Sequence, residues 1–133
     1  MDRFAVRYAR IALGATFLSS VAARFGIWGH WSWAEYEQWV RELNWYLPAF
    51  AIPALAVLVT LIEGGLGVAL VCGVRNPWIA RGAAILLGVF ALAMAIADGP
   101  KEPFDYSVFS ASACALLLDR RSAPPFGGAA RRE

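Results

Sequence analysis

Histidine and lysine are almost missing from this chain, with one residue of each, His30 and Lys101, and cysteine is scarce at two. Each scarcity excludes something. One histidine cannot supply both axial ligands of a b-type haem within a single chain. The Cys, His and carboxylate clusters that build zinc or di-metal sites are missing. The two cysteines, Cys72 and Cys114, lie inside apolar runs with no CxxC pattern. They read as small buried hydrophobes, with a disulfide or metal role as the lesser alternative. No glycine-rich loop follows a strand, there is no nucleophile elbow, and no carboxylates stand at catalytic spacing. Metals, covalent cofactors and nucleotide chemistry are therefore not expected. The arginines border apolar runs and form no solvated basic face, so nucleic acid is not an expected partner.

What the chain has instead is apolar surface. Of its 133 residues, 59% are hydrophobic, and the mean hydropathy is +0.53. Soluble domains are usually about half apolar. The excess falls in four blocks separated by short charged segments. The pattern predicts an all-α membrane protein: a four-transmembrane-helix bundle over residues 1–120, with an interfacial amphipathic helix between the first two spans. A flexible cytoplasmic tail, rich in Arg, Pro and Gly, is expected over residues 121–133.

The first apolar run is Phe4 to Ile27. Its basic start and its Ser20-Val21-Ala22 sequence have the outline of a secretory signal; the run is taken here as the first membrane helix. Ala5, Ala9, Ala12, Thr16, Ser19 and Ala23 would let a neighbouring helix come close. Residues Trp28 to Leu47 hold five of the six tryptophans. Ser32 with Glu35 reads as a capping box. Beyond it, Tyr36, Trp39, Val40, Leu43 and Leu47 share one face, and Glu35, Gln38, Arg41 and Glu42 the other. A Trp-rich amphipathic helix suits the membrane interface, as an anchor or as a lid.

The second span is expected over Ala49–Gly73, the third over Trp78–Ala97 and the fourth over Phe104–Leu118. The fourth is short for a hydrocarbon core of ~30 Å. Helix packing is expected at Gly14, Gly64, Gly67 and Gly88. Arg3, Arg7, Arg10, Arg75, Arg81 and the tail arginines all fall on one side of such a bundle. The other side holds only Arg24, Arg41 and Lys101, among many carboxylates. The positive-inside rule puts both termini in the cytoplasm, and the membrane is expected to be a bacterial-type inner membrane.

Glu63 breaks the apolar pattern near the middle of the second span. Such a group faces a bundle interior or a cavity and has a partner. Protonated, it can donate a hydrogen bond to a carbonyl such as that of a quinone. Alternatively it serves as a structural hydrogen-bonding group toward Thr16, Ser19, Tyr106 or Ser107. Arg24 either snorkels or pairs with Glu102 or Asp105. Arg10 either snorkels or lines a polar site, and His30 reads as an interfacial residue.

Three stretches together resemble the DoxX-like family of small four-helix membrane proteins. They are Arg10-Ile11-Ala12-Leu13-Gly14 continuing to Arg24-Phe25, then Glu63-Gly64-Gly65 with Gly67, Gly73 and Arg75, and finally Pro103 through Ala113. The resemblance spans about residues 8 to 120. It implies a quinone- or redox-associated membrane subunit, with a bound quinone or lipid and no covalent cofactor. Glu63 would contact the ligand or relay a proton, with Arg24, Asp105, Tyr106 and Ser107 near the outer mouth. Two other readings stand beside it. One is a non-catalytic accessory or scaffold subunit of a larger membrane complex, or a homo-oligomer. The other is a small-molecule transporter. Whether the chain is an enzyme is left open.

Overall fold

The computed structural model describes residues 3–27, 29 and 31–122, the last four by backbone alone. Trp28, His30 with its expected interfacial role, and the expected tail past Ser122 lie outside the described residues. Within them the chain is all helical: α1 (Arg3–Arg24), α2 (Trp33–Leu43), a 3₁₀ turn (Ala49–Ala51), α3 (Ile52–Val71), α4 (Pro77–Ala97), α5 (Lys101–Asp105) and α6 (Val108–Ser122).

The helix ends follow local chemistry. After α1, Gly26 takes a φ of 71°, Ile27 N–H donates to the Ala22 carbonyl at 3.2 Å and Gly26 N–H to Ala23 at 3.1 Å. After α3, Gly73 takes a φ of 74° and Val74 N–H donates to Ala69 at 3.0 Å. Both are Schellman ends, which need a residue that tolerates the left-handed region. Helix α2 opens on the capping box read from sequence: Glu35 N–H donates to Ser32 Oγ at 3.3 Å, and Ser32 N–H donates to the Glu35 carboxylate at 2.7 Å. Ser32→Ala should cost about 1 kcal/mol. Hydrogen exchange of the α2 amides should quicken while that of α3 stays unchanged; equal exchange in both proteins would rule the cap out as the anchor of α2.

The fourth apolar block is not one helix. The expected Phe104–Leu118 element is interrupted at Ser107, a non-glycine residue at φ 56°. Helix α5 ends before it, and α6 restarts at Val108. The expected polar loop from Asp98 to Pro103 in turn carries the start of α5 at Lys101. Pro103 fits in this short helix because its missing N–H falls in the first turn, where no intrahelical partner exists.

Helix α1 runs antiparallel to α3, and α4 packs mainly on α6. The first contact turns on two glycines. A Cβ on Gly14 would lie 2.8 Å from the Gly67 carbonyl oxygen, and one on Gly67 would lie 2.9 Å from Leu18 Cγ. Gly88 makes only an ordinary contact, 3.7 Å to Ser112 Oγ, and Gly64 faces open space within the chain. Gly64 is therefore not a contact of the kind expected: next to Glu63 in sequence, it is turned about 100° around the helix from the buried α3 face formed by Ile52, Ala56, Thr60, Glu63, Gly67 and Leu70. The α4–α6 contact is built from alanines, with Ala80, Ala83, Ala84 and Ala115 buried. Ser112 Oγ donates to the Ala84 carbonyl at 2.9 Å. Small residues bring backbones together and leave dispersion and weak polar contacts to hold them, as in lipid.

Two stretches, Ala49–Val71 and Pro77–Ala97, are long and apolar enough to cross a membrane, and only 28% and 33% of each is buried. A core helix of a soluble protein would be covered. Here Leu58, Leu61, Val68, Ile85, Leu92 and Ile96 stand exposed. Water does not tolerate so large an apolar surface on a monomer, and lipid does.

Candidate functional site

Four side chains from three helices meet where the C-terminal end of α1 crosses α3. The buried face of α3 presents Thr60 and Glu63 at i,i+3 spacing, which puts them side by side. Arg24, in the last turn of α1, is 4% exposed and Glu63 is 2% exposed. The Arg24 guanidinium forms an ion pair with the Glu63 carboxylate. It also donates to Thr60 Oγ1 at 2.8 Å and reaches Ser20 Oγ at 3.4 Å. Thr60 passes its own proton back to the Ala56 carbonyl at 2.8 Å. From α2, the Tyr36 ring covers the guanidinium, with Cζ 3.8 Å from the ring centroid.

The partner of Arg24 is thus Glu63, and neither Glu102 nor Asp105 takes that place. Asp105 is held by Lys101 one turn earlier on α5. The reason is register: with Gly14 on Gly67, the end of α1 falls opposite Thr60 and Glu63. Glu63 in turn meets Arg24, and none of Thr16, Ser19, Tyr106 or Ser107 forms the structural hydrogen bond that stood as the alternative.

Tyr36 is 2% exposed. Its hydroxyl lies beside Thr60 but completes no hydrogen bond. Burial pushes the phenol up from its ordinary range, an effect the nearby Arg24 charge opposes. The ring is therefore a neutral donor at physiological pH.

The cluster forms one wall of a cavity of about 420 Å³. Helix α1 contributes Thr16, Phe17, Ser20 and Arg24, and α4 contributes Leu87, Phe90 and Met94. Trp31, Tyr36 and Trp39 cover it from the α2 side. Asp98, Glu102 and Tyr106 stand at the end where α4 passes into α5. Of the residues proposed from sequence, the structure brings Glu63, Arg24 and Tyr106 to this cavity. Asp105 and Ser107 do not line it. Tyr36, Thr60, Trp31, Trp39 and Asp98 were not singled out as site residues. A signal existed for Thr60, one polar residue a turn before Glu63 in an apolar span. For Tyr36 the signal was its place on the apolar face of the amphipathic helix; that its ring covers Arg24 depends on how α2 docks.

Arg10, at the other end of α1, is also buried and donates to the Val74 carbonyl at 2.6 Å. It thereby ties the turn that follows α3 to α1, near a helix C-terminus where the dipole favours a cation. That role belongs to the frame, not to the cavity.

The fold and the cavity define a small helical membrane protein with a buried ion pair beneath an aromatic helix. The chain belongs to the family of methylamine utilisation protein MauE, which matches over residues 2–100. That match runs from α1 through α4 and includes Arg24, Tyr36, Glu63 and Asp98, and it ends before Glu102 and Tyr106. The matching family is MauE and not the DoxX-like family; what the two share here is the class of small membrane proteins. No curated protein and no solved structure matches the chain.

Proposed function

We propose that this chain is a four-span inner-membrane accessory subunit of a redox system for methylamine use, in which its cavity holds a ligand. In this reading α1 and α6 join α3 and α4 as spans, α2 lies in the outer interface, and both termini are cytoplasmic. The arginine distribution supports that orientation. The spacing of the two α1 arginines supports the first span. Arg10 and Arg24 stand roughly 21 Å apart at ~1.5 Å per residue, less than a hydrocarbon core of ~30 Å. Both guanidinium groups then fall within reach of lipid and need internal partners, and each has one.

The observation that carries the proposal is the Arg24–Glu63 pair at the wall of an aromatic cavity. Charges at that depth are expensive and mark sites where function retains them. The second reading, a quinone headgroup as the occupant, rests on the aromatic walls beside a guanidinium donor and on the DoxX-like resemblance.

Gentle extraction from native membranes tests both. A stoichiometric membrane partner is the expected result, and a lone monomer or a homo-oligomer would count against an accessory role. The same preparation, extracted for lipids, reads the quinone. If both the native protein and Glu63→Gln lack it, the quinone reading fails.

A further inference from the structure

The cavity lining includes two carboxylates that form no ion pair among the described residues, Asp98, which is exposed, and Glu102, which is half-buried. Glu63 is matched by Arg24. At the outer end, Asp98 and Glu102 face the same space, and among the described residues neither has an ion-pair partner. The nearest candidate in sequence, Lys101, is taken by Asp105. Trp31, Trp39, Phe90 and Met94 line the same cavity. Aromatic faces with adjacent carboxylates attract organic cations, because the ring quadrupole and the carboxylate charge act in the same direction. The Tyr36 hydroxyl on the same wall is buried and has no hydrogen-bond partner, so the lining is not satisfied from within.

We propose that this cavity binds a small organic ammonium ion, its charged head held between Asp98 and Glu102 and its compact apolar body against Trp31, Trp39 and Phe90. The proposal rests on the reading of the cavity as a ligand site. Size narrows the class. A cavity of about 420 Å³ falls in the range of sites for ligands of several heavy atoms, roughly 300–1,000 Å³, so an ammonium with an apolar substituent fills it better than ammonium itself. Polarity narrows it further. Two carboxylates among the lining residues favour a cationic ligand over a neutral carbonyl one.

The test uses the full chain in nanodiscs of zwitterionic lipid, with empty discs as the blank for partitioning into lipid. Benzylammonium and its neutral counterpart, benzyl alcohol, are titrated against tryptophan fluorescence. Native protein should bind benzylammonium roughly tenfold or more tightly than benzyl alcohol, the scale of a desolvated cation–aromatic contact reinforced by charge. The double variant Asp98→Asn/Glu102→Gln should lose that preference, and Asp105→Asn, outside the cavity, should keep it. Equal affinity for the two probes in native protein would overturn the ammonium proposal and leave the cavity standing as a ligand site. No saturable binding of either would overturn both. A short-tailed quinone that displaces benzyl alcohol equally well from native protein and from the double variant, with benzylammonium showing no advantage, would identify a carbonyl ligand instead.

Discussion

Arg24→Met should destabilise this protein more than almost any other single change. It leaves the Glu63 carboxylate, 2% exposed, without its counter-charge, and strips the hydrogen bond from Thr60. Breaking one side of a buried pair costs about 3–5 kcal/mol, mostly through the charge left behind. Glu63→Leu, which orphans the guanidinium, should cost a similar amount, eased by the Thr60 and Ser20 contacts and the Tyr36 ring that remain. The double variant Arg24→Met/Glu63→Leu should recover most of the loss, since two apolar side chains of similar volume replace two desolvated ions. Thermal melts in detergent, followed by tryptophan fluorescence, check the order. Two single variants no less stable than the double would mean that the pair is not buried as described. A recovered double variant that also loses ligand binding would separate the two roles, because stability alone does not require the ions.

Gly14→Leu is the second large effect. The first added carbon already lies 2.8 Å from the Gly67 carbonyl oxygen and 2.8 Å from Val71 Cγ2. A side chain can rotate away, but a backbone carbonyl on a packed helix cannot. Overpacking of this kind costs about 1–3 kcal/mol and sometimes more. Here it also moves α1 as a body, so Arg10 at one end and Arg24 at the other are pulled from Val74 and Glu63. Gly64→Ala makes the matching control. Nothing lies within 4 Å of its Cβ, and alanine is the better helix former by about 1 kcal/mol. Membrane expression and melting should fall sharply for Gly14→Leu and hold or rise slightly for Gly64→Ala. Equal behaviour of the two would remove the glycine crossing as the point that sets the α1–α3 register.

The helices were legible where their signals are local. Ser32 and Glu35 announce the start of α2 because both halves of a capping box lie within four residues. Gly26 and Gly73 end their helices by a conformational freedom that belongs to the residue itself. The fourth block was less legible. An apolar run from Phe104 onward reads as one span, and hydropathy carries no sign of the left-handed Ser107 that divides it. Glycine roles were legible only in part. Gly64, Gly65 and Gly67 look alike in sequence, and a small-residue stripe does not say which turn meets a neighbour. Only Gly67 shares the buried face with Thr60 and Glu63.

The site divides the same way. Glu63 and Arg24 could be found singly, because an ion in an apolar run is costly wherever the run goes. Their pairing could not. Arg24 had acidic candidates at Glu102 and Asp105, close to it in expected depth, and the choice among three carboxylates depends on helix register. Asp105 was lost to Lys101 through an i,i+4 contact, which is local and was readable in principle.

What the sequence by itself determined is the class: a helical membrane protein with a tryptophan-rich amphipathic segment and one acidic residue inside a span. That much follows from hydropathy, periodicity and turn chemistry, each acting over a few residues. Tertiary structure alone decided that Glu63 belongs to Arg24, that Tyr36 covers them, and that Asp98 and Glu102 face the same cavity. Those relations join residues as far apart in sequence as Arg24 and Glu102, through the close approach of Gly14 to Gly67 and the docking of α2, and distance along a chain does not encode distance in space.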